Sequence, residues 1–270
     1  MIKFLNNLSN KDINEVGGKA AGLGELIKAK IPVPEGFVIT TNVSSNEIKD
    51  KQKEIYEAFD KLSCKFVSVR SSATKEDSTT DSFAGQFETY LNVKKENIIK
   101  SIIECINSIN SPKIKAYCEE KKIDKSKIKM AVIIQKMVDS EVAGVSFTIH
   151  PVSKDKTKIL IEAGLGLGEV VVSGMINPDD YIIDKETLRI LNISIGDQEK
   201  MLIRKEDKTE EIHLDSSRSL QQKLPTKFII EIAKMSKKIE DYFKKPMDIE
   251  WAIEKDRIYF MQARPITTID

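Results

Sequence analysis

The stretch from Asp248 to Pro265, DIEWAIEKDRIYFMQARP, constrains this chain most, because two alternating segments there each set polar groups among residues suited to burial. In the first, Ile249, Trp251 and Ile253 share one face and Asp248, Glu250, Ala252 and Glu254 the other, the period of a half-buried strand. In the second, Ile258, Phe260, Gln262 and Arg264 alternate with Tyr259, Met261 and Ala263. If the two pair as a hairpin, the loop decides what Glu250 meets. A two-residue loop at Lys255-Asp256 sets Glu250 opposite Met261 and turns Gln262 to the far face. A three-residue loop at Lys255 to Arg257 sets Glu250 opposite Gln262 and Asp248 opposite Arg264. That register gathers a carboxylate, an amide oxygen and a guanidinium. The patch is then either a structural salt bridge or a site where hard oxygens hold a divalent cation and the arginine clamps phosphate.

At 270 residues the rest of the chain has ample material for a core around this hairpin. Lys+Arg 43 against Asp+Glu 42 leaves a formal net charge of +1, so no overall field favours nucleic acid or an acidic membrane. Any anion must be bound by local arrangement. The cysteines Cys64, Cys105 and Cys118 have no metal-ligand spacing and read as reduced packing residues. The opening MIKFLNNLSN lacks the apolar centre of a signal peptide, and no apolar run approaches the roughly 18 residues of a membrane span. A soluble cytoplasmic protein is expected.

Val16-Gly17-Gly18-Lys19 opens a helix with apolar positions at Ala20, Leu23, Leu26 and Ile27, stopped by Pro32 and Pro34. A lysine in a first turn opposes the helix dipole, a cost offset if Lys19 and the nearby amides face a phosphate; a solvated lysine is the plain alternative. Phe66 to Arg70 reads as a compact strand ending on a cation. Beyond it, the Ser/Thr/Asp-rich run Ser71 to Ser82 and then Phe83 to Thr89 are short-sided and punctuated by Gly85, and could fold over a polyphosphate or be a plain loop. Asn97 to Ile109 is a strongly amphipathic helix, Pro112 to Lys121 a second. The lysine-rich Lys121 to Lys129 reads as a crossing between lobes, roughly 1–126 and 127–270. Met130 to Gln135 is an apolar strand whose terminal Gln135 could offer its amide, and the next backbone groups, to a purine edge, or be a plain polar residue at a strand end. The glycine run Gly164 to Glu169 lacks the spacing and following helix of a dinucleotide fingerprint. Leu224 to Phe243 is a last long helix. The expected class is α/β with mixed sheets.

Together these segments resemble the ATP-binding domain of the phosphoenolpyruvate synthase and pyruvate phosphate dikinase family, an ATP-grasp-type fold of two lobes. The resemblance rests on GGKAAGLGEL from Gly17, VPEGFVIT from Val33, VRSSATKED from Val69, SFAGQFETYLNV from Ser82, QKMV from Gln135, GVSFTIHPVS from Gly144, EAGLGLGEVVVSGMINPDDY from Glu162, and the closing DIEWA and QARP. It implies that Lys19, Arg70 and Arg264 contact ATP phosphates and serve the catalytic step, and that Gly85 and Thr89 belong to the loop closing over them. It sets Gln135 at the adenine with Met137 and Val138 along that edge, and makes Glu250 and Gln262 the Mg2+ ligands. The implied reaction passes the β-phosphoryl of ATP to a histidine on a swivelling domain and yields AMP. The sequence departs from the family pattern in three places. No histidine domain follows Asp270, so the partner is expected on another chain or a missing C-terminal part; Asn42 to Ser63 is short; Gln198 stands where lysine is expected. Alternatives are the ATP-binding part of a rifamycin-type antibiotic phosphotransferase and a non-catalytic nucleotide-sensing subunit.

Overall fold

The computed structural model describes residues 1–74 and 87–266. The chain divides into two compact units, Met1–Lys28 with Pro34–Met137, and Ala29–Val33 with Val138–Asp270.

In the first unit the elements are β1 (Ile2–Phe4), α1 (Ile13–Lys28), β2 (Gly36–Ile39), α2 (Gln52–Lys61), β3 (Val67–Ala73), β4 (Thr89–Val93), α3 (Ile98–Asn107), α4 (Pro112–Glu120) and β5 (Met130–Lys136). The strands form one antiparallel sheet in the order β1-β2-β5-β3-β4. The boundary between lobes expected at 126/127 therefore moves to Met137/Val138, because β5 is the centre of this sheet and cannot leave it. One sheet face, with Phe37, Val67, Val69, Val132 and Ile134, is closed by Ile55 and Phe59 of α2 and by the Ile98, Ile102 and Cys105 stripe of α3. Full burial of each such side chain contributes roughly 1.5–3 kcal/mol. Arg70 was expected to end its strand; it lies mid-strand, because Ser71, Ser72 and Ala73 continue the ladder against Val132, Ala131 and Met130.

α1 lies over the opposite face. The Ala20 amide donates to Ser72 Oγ at 3.1 Å. The helix is broken at Gly17, where φ is 77°, and a Cβ there would sit 2.1 Å from the Ser72 carbonyl oxygen. Only glycine meets both demands. The break leaves Lys19 in the first turn of the continuing helix, as its sequence position predicts.

The second unit comprises β6 (Val142–Phe147), β7 (Lys158–Leu165), α5 (Glu169–Val172), β8 (Asp179–Asp184), β9 (Ile190–Ser194), β10 (Lys200–Lys205), β11 (Lys208–His213), α6 (Ser216–Ser219), α7 (Thr226–Phe243), β12 (Met247–Glu254) and β13 (Arg257–Pro265). Six strands form an antiparallel sheet, β13-β12-β6-β7-β8-β9, and β10-β11 is a separate hairpin. α7 packs on one face, where Ser146 and Ser236 hydroxyls meet at 2.8 Å and Thr148 Oγ1 donates to Glu240 at 3.0 Å. The glycine run is a structural joint for the β10-β11 hairpin. At Gly166 φ is 90°, and the Leu202 carbonyl oxygen lies 2.4 Å from where a Cβ would be. The Leu167 amide donates to that carbonyl at 2.8 Å. Buried Gln198 fastens the joint, accepting from the Leu165 amide at 2.8 Å and donating to the Leu165 carbonyl at 3.0 Å.

The β12-β13 connection is the two-residue loop Lys255-Asp256, with φ of 49° and 61° and Glu254 directly opposite Arg257. Both positive φ values mark a type I′ turn, which favours glycine at its second position. Asp256→Gly is expected to stabilise the chain by a few tenths to about 1 kcal/mol after the added unfolded-state entropy of glycine. The lost ion pair from Lys227 to Asp256 is largely exposed and contributes little. A urea-unfolding midpoint that rises without a change of slope is the expected readout.

Candidate functional site

A two-residue loop by itself would turn Gln262 away from Glu250. The ladder instead slips between Glu250 and Trp251: Trp251 faces Phe260, Glu250 faces Gln262, and Met261 is the extra residue of a β-bulge. Beyond the bulge Asp248 faces Arg264. Carboxylate and amide are thus cross-strand neighbours on one patch. Gln262 is 4% exposed.

Arg264 Nε and Nη2 donate to Asp248 Oδ2 at 2.8 and 2.7 Å. With side chains 25% and 13% exposed, the pair orients the guanidinium while leaving part of it open to solvent. Burial pushes the Asp248 carboxyl up, against the pull of Arg264.

The same row continues across the sheet, since Glu250 is level with Val145, Val145 with Glu162, and Glu162 with Asp180. Two carboxylates opposite each other on neighbouring strands repel. Burial and then Asp180 and Asp248 raise the Glu162 carboxyl above its usual range, and burial and Asp179 raise Asp180. A carboxyl raised on folding destabilises where it is charged, above its folded pKa, and the penalty vanishes below its unfolded value. Glu162→Gln is therefore expected to stabilise the chain at pH 7 by up to about 1 kcal/mol. The gain should disappear as pH falls through the carboxylate range. Urea unfolding at pH 7 and pH 4 checks the sign. Glu162 and Asp180 escape a sequence reading because their alignment needs the β6-β7-β8 pairing, which no local pattern reveals.

The first unit carries its own set. Arg70 lies directly across from exposed Thr89 on β4, and Lys19 starts the helix over the same sheet face, above Ser72. Gln135 is fully buried; its Nε2 donates to the Pro34 carbonyl at 3.0 Å, and its Oε1 has no hydrogen-bond partner among the described residues. The Met137 amide donates to the Phe66 carbonyl at 3.1 Å. Val138 begins the second unit and packs with Ala143, Ala252, Tyr259 and Met261. Gly85 lies outside the described residues.

No group of three or more His, Cys, Asp or Glu among the described residues could hold a metal ion. Magnesium binds through one or two carboxylates plus phosphate oxygens and water. Glu250 and Gln262 carry hard oxygens on two neighbouring strands. No helix among the described residues is long and apolar enough to cross a membrane.

The chain matches the family described as pyruvate phosphate dikinase, AMP/ATP-binding domain, over residues 13–64 and 44–270. It is 38% identical to a probable phosphoenolpyruvate synthase of Methanocaldococcus jannaschii, over 99% of this chain and 27% of that protein. It is 34% identical to the phosphoenolpyruvate synthase of Pyrococcus furiosus, over 99% and 44%. An uncharacterised phosphotransferase of Bacillus subtilis is 36% identical over 94% and 34%. The chain spans less than half the length of each of these three relatives. Among solved structures, D-alanine–D-alanine ligase of Bacillus anthracis overlays with a TM-score of 0.40 at 12% identity, covering 92% of this chain and 56% of that one.

Proposed function

The chain belongs to the pyruvate phosphate dikinase AMP/ATP-binding domain family, and from that premise we propose that it binds Mg-ATP and passes a phosphoryl group to a histidine on a separate domain or partner chain. The observation that carries this reading is the bulged register that brings Glu250 opposite Gln262, with Asp248 and Arg264 on the next polar rung. A β-bulge costs ladder hydrogen bonds, and here it restores a pairing of oxygen donors that the short turn would otherwise abolish.

In this reading Glu250 and Gln262 hold magnesium, which when bound neutralises phosphate charge. Arg264, held in place by Asp248, faces phosphate oxygens, and Lys19 and Arg70 supply further cations. Thr89 and Gly85 belong to the phosphate-covering segment, and Gln135, Met137 and Val138 to the base edge. Phosphoryl transfer proceeds through positioning and charge stabilisation rather than a nucleophile of this unit. The β-phosphoryl moves to the acceptor histidine, AMP leaves, and the γ-phosphoryl goes to water or phosphate. Mixing the chain with a histidine-bearing partner domain and β-labelled ATP should yield labelled phosphohistidine and AMP. Release of ADP as the sole nucleotide product contradicts the dikinase assignment.

A further inference from the structure

The break at Gly17 gives α1 a second start, and that start has no cap of its own. Gly17, at φ 77° and ψ 168°, flanks the helix that continues from Gly18 to Lys28, and Ala20 is the third residue of that helix. The amide of a third residue has no partner within its helix. A serine, threonine or aspartate at the flanking position ordinarily satisfies it through its side chain. Gly17 has no side chain to offer. Ser72 of β3, 52 residues away, supplies the oxygen instead, its Oγ accepting from the Ala20 amide at 3.1 Å. That Oγ stands against the place a Cβ on Gly17 would occupy, so the capping group comes from the sheet and the helix makes room for it.

A cap carried by the helix's own chain stabilises the helix wherever the helix lies. A cap carried by β3 also fixes where the first turn sits over the sheet. Ser72 and Ala20 are both 0% exposed, so no solvent is at hand to replace the bond. The next residue back shows that a buried hydroxyl on this strand need not be so used. Ser71 faces the other side of the sheet, and its Oγ has no hydrogen-bond partner among the described residues.

The bond joins the two elements that carry cations in this unit. Lys19 directly precedes the capped Ala20. Arg70 lies two residues before Ser72 on the same face of β3, about 7 Å along the strand, and the pairing of β3 with β5 is unbroken from Val67 to Ala73. We propose that Ser72 is a positioning residue: its hydroxyl, by capping the broken helix from the strand, holds Lys19 in register with Arg70 so that both meet one polyphosphate. Ser72 touches no phosphate itself and acts through Lys19. The proposal rests on the Mg-ATP reading and adds to it the residue that sets the spacing of two of its cations.

Calorimetry on the whole chain with magnesium tests it, using ATP and inorganic triphosphate against wild type, Ser72→Ala, Lys19→Met and the double variant, each well below its melting temperature. Ser72→Ala should lower triphosphate affinity about tenfold, part of what one hydrogen bond to a charged group contributes. In the Lys19→Met background the same change should cost no more than about twofold, because the group it positions is gone. ATP should follow triphosphate in both comparisons. Ile102→Val, on the α3 side of the same sheet, removes a buried methyl without touching α1. It should lower the melting temperature yet leave triphosphate affinity unchanged, which separates positioning from loss of stability. Equal losses in the wild-type and Lys19→Met backgrounds, or an unchanged affinity in Ser72→Ala, overturn the role of Ser72 alone. Failure of wild type to bind both ATP and triphosphate with magnesium overturns the Mg-ATP reading with it.

Discussion

Glu250→Ala is expected to weaken magnesium-dependent ATP binding by about 100-fold or more, equivalent to ~2.8 kcal/mol. The side chain faces Gln262 across the bulge, and the two are the oxygen donors the hairpin offers from adjacent strands. Removing the carboxylate leaves one neutral amide oxygen, which cannot hold a cation whose remaining shell is phosphate and water. Titrating ATP with and without magnesium separates the metal contribution from direct phosphate contacts. Wild type should lose most of its affinity when magnesium is withheld, and the variant should bind nearly equally weakly in both conditions. Gln262→Ala should behave similarly but lose less, because it removes no charge. A variant as magnesium-dependent as wild type would disprove the ligand assignment.

Lys223→Met is expected to give the largest loss of stability. Both side chains of the Lys223–Asp179 pair are 0% exposed, with Nζ 2.8 Å from Asp179 Oδ1. Nζ also donates to the carbonyls of Gly196 at 2.5 Å and Ser219 at 2.8 Å. Asp179 in turn accepts from the Tyr181 hydroxyl at 2.7 Å and the Gly196 amide at 3.0 Å. Taking away the ammonium strands a carboxylate in the core, at a cost of about 3–5 kcal/mol. For a unit of this size that lowers its melting temperature by roughly 6–20 °C. Adding Asp179→Asn removes the stranded charge but keeps only one acceptor oxygen, whereas the Gly196 amide donates to Oδ1 and the Tyr181 hydroxyl and Lys223 amide to Oδ2. The double variant should therefore recover part of the loss. If the double variant loses the sum of both single effects, the pair does not act as a unit.

The pair also explains how far sequence reaches in this fold. Alternation in Asp248 to Arg264 gives both strands of the hairpin, and the glycine and proline punctuation gives α1. The choice of register was open because it depends on a bulge at Met261, which arises where β13 must satisfy a type I′ turn at one end and the Glu250–Gln262 pairing at the other. Lys223 and Asp179, 44 residues apart at Lys223 N and Asp179 Oδ2, look like ordinary surface charges until tertiary packing buries them. Gln198 reads as a departure from the family pattern, yet its amide suits the Leu165 backbone, which presents a donor and an acceptor together. The Pro34 carbonyl that accepts from Gln135 lies 101 residues away in sequence, so no local pattern reveals that bond.

Paramagnetic broadening by manganese tests the metal assignment most directly. With Mn2+ in place of magnesium and ATP present, the backbone amides of Glu250 and Gln262 and the Gln262 side-chain amide should broaden most strongly. The effect should fade along β12 and β13 and weaken sharply without ATP. Broadening centred away from these two strands, or of equal strength without nucleotide, would contradict the assignment of Glu250 and Gln262 as the ligands of nucleotide-bound magnesium.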